Sequence, residues 1–345
     1  MATIKADELT AFAATLLAAA GFSDGQAREM ADLLVWANLR GIDSHGVLRI
    51  PRYIEMLRAG SVSASPDITE VRRFGAVCVL DAGRAPGASA MNRAVSEAAK
   101  LATSFGLGWC GVRKTSHAGA IGYFVRRVAE QGLVGIAMTA SKPLMGYFGA
   151  KGEVLSTNPL AIGVPQPGGE PPLILDMSTA AVALGKIMAA KDAGKPIPVG
   201  WGVDADGADT TDPHKVAAVL PMAGAKGSGL SLMIEILCSL LVSNANIAPA
   251  LTGGKGGGFN GMVLAIDPAA FGDREGFLKE VGALAQAIHA REPSPGIYKV
   301  ILPGERGHET ECARLSGGIP VAVGTAKRLA ETARELGVEV PESLL

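Results

Sequence analysis

With 48% hydrophobic and only 19% charged residues, this chain of 345 residues has the composition of a well-buried globular protein and not of a disordered one. Its length exceeds what one hydrophobic core usually supports, so two domains are expected. A net charge of −1 without blocks of like charge offers no basic face, which argues against nucleic acid as a partner.

The apolar run 10–22 follows Asp7 and Glu8, where a secretion signal would carry positive charge, so it reads as an amphipathic helix over 6–20 ending at Gly21. Ser23, with Gln26 three residues on, predicts a capping box for a second helix. Met30, Leu33, Leu34 and Ala37 give that helix a buried face. It runs into Gly41-Ile42-Asp43-Ser44-His45-Gly46-Val47-Leu48-Arg49-Ile50-Pro51-Arg52-Tyr53, and a third helix is expected over 52–58. Strands are then expected at 77–82, 108–113, 133–139, 160–164, 172–176, 261–266 and 297–302. Helices are expected at 87–105, 119–131, 179–193, 226–243 and 275–290, and the tail adds a strand at 319–323 and a helix at 326–336. The mixed order predicts an α+β core clasped by a helical domain built from both termini: residues 1–72 plus 308–345 against 73–307.

The 45 glycines are about twice average usage, which points to tight loops and close backbone approach to a ligand. Cys78, Cys110, Cys238 and Cys312 form no CxxC pair, so neither a metal site nor a disulfide framework is expected, in keeping with a reducing cytoplasm. Cys78 and Cys238 read as buried thiols. The longest later apolar run, 230–242, is interrupted by Glu235 and too short for a bilayer.

The segment 41–53 packs a hydroxyl, an imidazole, two guanidiniums and a phenol together, the groups that hold a small carboxylate and move a proton. Thr115-Ser116-His117-Ala118-Gly119-Ala120 lies between a strand and a helix, and a helix N-terminus favours the neutral ring of His117. A neutral imidazole accepts a proton from an alcohol. His214, His289 and His308 read as surface residues. Gly256-Gly257-Gly258-Phe259-Asn260-Gly261 matches GxGxxG in form, but a strand follows it and no helix opens there, so it reads as a mobile loop. Asp204-Ala205-Asp206-Gly207 reads as a polar turn. A better phosphate site is Pro221–Gly229, whose glycines and Lys226 lead into a helix. Asp176-Met177-Ser178-Thr179 is expected to step from strand into helix in the same way.

Together these segments resemble the type-2 malate/L-lactate dehydrogenase family. The matching text includes Ser44-His45-Gly46, Arg49, Tyr53, Ser116–Tyr123, Thr157-Asn158-Pro159-Leu160-Ala161, Asp176–Thr179, Gly185-Lys186, Thr210–Pro213, Gly224–Leu230 and Pro303-Gly304-Glu305. Within the family the chain looks closest to the ureidoglycolate dehydrogenase branch, through Ser116–Arg126, the Ile197–Asp204 stretch and Pro293-Ser294-Pro295-Gly296. It departs from the pattern at Ser156, Lys142 and the 244–260 loop.

The resemblance implies an NAD(P)-dependent oxidoreductase with a non-Rossmann, mixed-sheet dinucleotide domain, working as a homodimer with its site between subunits. It carries cofactor contacts to Ser141, Asp176, Met177, Ser178, Lys226, Gly304, Glu305 and Arg306, and substrate contacts to Ser44, His45, Arg49, Tyr53 and His117. The expected reaction is hydride transfer between the nicotinamide of NAD or NADP and C2 of a small 2-hydroxy or 2-oxo acid of the malate, lactate, ureidoglycolate or sulfolactate type. Arg49 clamps the carboxylate in this reading, His117 takes the proton and His45 polarises the same oxygen. Two alternatives are reduction of a cyclic imine 2-carboxylate and a non-catalytic dinucleotide or hydroxy-acid binding protein.

Overall fold

In the computed structural model, which describes residues 2–192 and 194–345, helices from both ends of the chain enclose a mixed sheet. The chain opens with β1 (Ala2–Ile4), α1 (Ala6–Ala19) and α2 (Asp24–Leu39), then two 3-10 turns (Asp43–His45, Val47–Arg49) and α3 (Ile50–Arg58). Next come β2 (Thr69–Phe74), β3 (Val77–Asp81), α4 (Gly87–Phe105), β4 (Leu107–Thr115), α5 (Gly122–Ala129), β5 (Val134–Ala140), β6 (Leu160–Val164) and β7 (Leu173–Met177). An excursion follows: α6 (Leu184–Asp192), β8 (Gly202–Val203) and β9 (Ala218–Val219). The remainder is α7 (Ala225–Glu235), a π-helical turn (Ile236–Leu240), α8 (Ile247–Leu251), β10 (Phe259–Ile266), α9 (Arg274–His289), α10 (Glu305–Gly317), β11 (Ile319–Val321) and α11 (Val323–Leu336).

Seven strands form one sheet in the order β2-β3-β4-β10-β5-β6-β7. Only β3 and β4 run parallel; the other neighbours are antiparallel. A doubly wound dinucleotide fold needs parallel strands joined by helices, so this sheet is of another kind. Residues of β10 alternate between its faces as strand geometry requires. Val263 and Ala265 join the core shared with α4 and α5, whereas Met262 and Leu264 pack with Ile234 and Cys238 behind α7.

The helical layer is closed by both termini, because β1 pairs antiparallel with β11 and α1 packs on α2 and α11. The capping box of α2 forms with both of its hydrogen bonds, and Met30, Leu33, Leu34 and Ala37 are buried. The boundary placed after residue 72 runs through β2, and the one before residue 308 runs through α10.

Several expectations are corrected. Residues 297–302 form no strand: prolines flank them, no sheet edge meets them, and Ile297 and Tyr298 are exposed. Alternation makes a strand only where a neighbour supplies the ladder. Helix α10 went unread, and so did β2, whose residues are exposed throughout. The helix expected over 179–193 begins only at Leu184, since Ala180 and Ala181 bond to Pro221 and Leu220, and its last expected residue lies outside those described. The loop before Phe259 is stitched down, with Gly257 N–H bonding Ala245 O and Asn244 bonding Gly257 O. Cys78 and Cys238 are fully buried, and Cys110 is buried with them. Among the described residues no helix is long and apolar enough to cross a membrane.

Candidate active site

Asn38, near the end of α2, organises the segment that follows it. Its amide donates to Asp43 Oδ1 at 2.7 Å and accepts from Val47 N–H at 2.9 Å. Residue 46 has to be glycine, because a Cβ there would overlap the Asn38 amide. The two 3-10 turns so fixed present Ser44, His45 and Arg49 in sequence. Arg49 is locked by its Nε, which donates to Ser44 O at 2.7 Å. Pro51 at the start of α3 keeps the helix from running back through them, and Tyr53 follows on the buried face.

His117 arrives from the opposite side. The β4 strand ends at Thr115, and α4 is pressed against the next loop by Gly87 N–H, which donates to Ser116 Oγ at 2.9 Å. The rings of His45 and His117 stack, with centroids 5.5 Å apart and planes 22° apart. Tyr53 Oη lies 2.7 Å from His117 Nδ1, and Ser44 Oγ lies 3.0 Å from His45 Nδ1. Each imidazole is thus held by a hydroxyl at Nδ1, and among the described residues neither Nε2 has a partner. The cavity behind His117, lined by Phe22, Met30, Leu33 and Tyr53, holds about 10 Å³, room for one water at most.

Burial, seconded by the Arg49 guanidinium, pushes His45 down to about 4. Burial, then the neighbouring His45 and Arg49, pushes His117 down to about 3. Burial likewise pushes the Tyr53 phenol well above its ordinary range. Both rings are neutral at pH 7. The cause differs from the one expected, because α5 begins only at Gly122 and His117 stands in the connecting loop, not at a helix end.

Of the residues expected to contact a cofactor, Asp176 is tied to the loop that follows His117. It is the last residue but one of β7 and accepts from Gly122 N–H at 2.8 Å, and a Cβ on Gly122 would lie 2.9 Å from the same oxygen. Asp176 is exposed, yet desolvation by the groups around its carboxylate pushes it up to about 6 against the pull of Gly122 N–H and Arg40. Ile174 N–H, also on β7, donates to Pro303 O at 3.0 Å, which seats Gly304 at the head of α10 beside this strand. Glu305 is engaged internally, with Leu302 N–H at 2.7 Å and His289 at 2.7 Å, while Arg306 is exposed. Met177 is half-buried at the end of β7. Ser178 and Thr179 cap no helix: Ser178 Oγ turns to Ala180 O and Thr179 Oγ1 to Thr157 O. Ser141 Oγ is buried against Ser156 Oγ at 2.7 Å, and Ser156 O accepts from Ser231 of α7. Lys226 sits in the first turn of α7, which starts at Ala225, one residue before the expected start; it is exposed and has no ion pair among the described residues. A free ammonium at a helix N-terminus suits a phosphate, and an exposed carboxylate suits a ribose hydroxyl, so the donor set fits a dinucleotide.

Two residues at this site were not singled out from sequence. Phe259 sets its ring edge-on to His117 at 6.0 Å, and Arg40 joins α2 to Gly304 and Glu311. Phe259 lies within the glycine-rich run, which hid it. Arg40 looked like an ordinary charge at a helix end.

Residues 4–330 match the family described as malate/L-lactate dehydrogenase. The chain is 33% identical to a malate dehydrogenase of Pyrococcus horikoshii, covering 97% of this chain and 96% of the relative. It is 35% identical to an NAD(+) ureidoglycolate dehydrogenase of Escherichia coli O157:H7, covering 84% of each. The solved sulfolactate dehydrogenase of Methanocaldococcus jannaschii superposes with a TM-score of 0.89 at 32% identity, covering 98% of both chains. The chain therefore belongs to the malate/L-lactate dehydrogenase family.

Proposed function

We propose that this protein is an NAD(P)-dependent oxidoreductase that moves a hydride between the nicotinamide and C2 of a small 2-hydroxy or 2-oxo carboxylic acid. The observation that carries the reading is the stacked pair of neutral imidazoles, each held at Nδ1 by a hydroxyl, beside the Arg49 guanidinium. The bound dinucleotide supplies or accepts the hydride. Arg49 receives the substrate carboxylate, and its Nε bond to Ser44 O fixes the direction from which it does so. His117 accepts the hydroxyl proton at Nε2 while Tyr53 holds Nδ1, and His45 polarises the same oxygen. A substrate carboxylate on Arg49 offsets the Arg49 charge, which is the smallest of the three effects that depress His117, after burial and His45.

Lys226, Asp176, Met177, Ser178 and Ser141, with Gly304, Glu305 and Arg306, form the dinucleotide side in this reading. The relatives support it, as one is named for malate and another for ureidoglycolate with NAD(+). The enzyme works as a homodimer with its site at the subunit interface. Exposed apolar side chains support this: Met233, Leu240 and Leu241 on and after α7, and Ile297 and Tyr298 before α10. All four cysteines are free, as in a reducing cytoplasm.

The test is a panel of 2-oxo and 2-hydroxy acids, together with pyrroline-2-carboxylate, assayed with NAD and NADP by nicotinamide absorbance. Turnover of a 2-oxo or 2-hydroxy acid is expected. Turnover of the cyclic imine alone moves the reading to imine reduction, and dinucleotide binding without turnover of any compound overturns it.

A further inference from the structure

Arg40 caps the end of α2 four residues before Ser44, and its side chain turns inward, with 7% of its surface exposed. It stacks over Trp36 at 5.5 Å, pairs with Glu311 of α10 at 3.0 Å, and donates to Gly304 O at 2.8 Å. Asp176 of β7 lies within range of its charge. One guanidinium therefore joins the helix that leads into the substrate segment to the turn that opens α10 and to Glu311 within it, and that turn in its own right lies against β7.

The surrounding residues are shaped to admit it. A Cβ on Gly307 would lie 2.8 Å from Arg40 Nε, so the first turn of α10 can lie against Arg40 only because residue 307 lacks a side chain. Gly304 has φ +94 and is seated so close to β7 that a Cβ would lie 2.9 Å from Ile174 N. Its carbonyl then turns to Arg40. Glu311 also pairs with Arg126 of α5 at 2.9 Å and has His308 at 4.0 Å, so its charge does not depend on Arg40 alone. The charged and titratable groups facing the joint are thus Glu311, Arg126, His308 and Asp176.

We propose that Arg40 is a positioning residue for the dinucleotide: by holding Gly304 O, whose turn lies against Ile174 of β7, it sets the two walls of the cofactor site relative to the helix that delivers His45 and Arg49. The proposal rests on the dinucleotide reading above. Arg40 touches no reacting atom in it. Its charge does two things, keeping the α10 turn against β7 and helping Asp176 stay ionised against desolvation. A neutral Asp176 loses part of its strength as an acceptor for a ribose hydroxyl.

The experiment compares the intact protein with its R40M and R40K variants. Methionine keeps the apolar stem over Trp36 and leaves Glu311 paired with Arg126, so R40M is the variant chosen to fold. NADH and NADPH affinity is measured by fluorescence titration from pH 5 to 8, with steady-state kinetics at saturating acid. For R40M the expected result is a dinucleotide KM at least tenfold higher with kcat changed less than threefold. The acid limb of binding should also move upward, since Asp176 loses a cation that lowers its pKa. R40K should fall between, because one ammonium reaches one partner at a time. A folded R40M with wild-type affinity and an unmoved limb overturns the proposal. So does equal weakening at every pH, and so does loss of fold in both variants, which would assign Arg40 to the scaffold. A wild-type protein that binds neither dinucleotide overturns the dinucleotide reading instead, so the two failures are distinct.

Discussion

The residues proposed for substrate and those proposed for the dinucleotide are held in different ways. Ser44, His45, Arg49, Tyr53 and His117 touch one another through short hydrogen bonds and a ring stack, all within one tightly packed helical layer and the loop after β4. Asp176, Lys226, Ser141 and the turn at Gly304 come from β7, α7, the end of β5 and the head of α10, and they meet through intermediaries such as Gly122, Arg40 and Ser156. Proton transfer tolerates little misplacement, so its groups are fixed before substrate arrives. A long dinucleotide is bound by many separate contacts, each of modest strength, and its site stays open.

If that contrast is right, damage to the first group should be steep and damage to the second shallow. His117→Asn should lower kcat at least about 100-fold, as loss of a general base does, with dinucleotide affinity nearly intact. Should His117→Asn keep near-wild-type turnover while His45→Asn does not, the proton acceptor is His45. Arg49→Ala should cost about 2–4 kcal/mol in kcat/KM for the acid through loss of a charge-assisted pair, and leave dinucleotide binding unchanged. Wild-type kinetics in a folded variant would remove Arg49 from the site. Lys226→Ala should raise the dinucleotide Kd roughly tenfold, the scale of one lost charge-assisted contact, without altering kcat at saturation, because a phosphate contact is equal in ground and transition states. Tight binding by that variant would make the α7 turn purely structural.

A further effect is expected on stability. Both histidines have folded-state values, about 4 and about 3, below the ordinary 6.5. Between pH 6.5 and 4 the unfolded chain therefore holds protons that the folded one refuses, and stability falls as pH falls through this window. Asp176, raised from 3.8 to about 6, acts in the opposite sense below pH 6. The drop in Tm from pH 7 to pH 5 should be smaller in the double variant His45→Asn, His117→Asn than in the wild type. An equal drop would place the pH dependence elsewhere.

The amino-acid sequence alone determined the elements whose patterns are local. The Ser23–Gln26 box, the buried stripe of α2, helix α4 over 87–105 and strand β6 over 160–164 appear where periodicity and capping place them, because those signals act over a few bonds. The clustering of Ser44, His45, Arg49, Tyr53 and His117 was legible for a similar reason, as four of the five fall within ten residues around a glycine. The tertiary structure decided the rest. Whether 297–302 would be a strand depended on a neighbouring edge, and none reaches it. Whether His117 was neutral depended on burial against Tyr53, 64 residues away, and not on a helix end. The site of Arg40 depended on Gly304, 264 residues away, and on a glycine at 307 that leaves it room. Burial, register and long-range charge are properties of packed neighbours, and no window along the chain contains them.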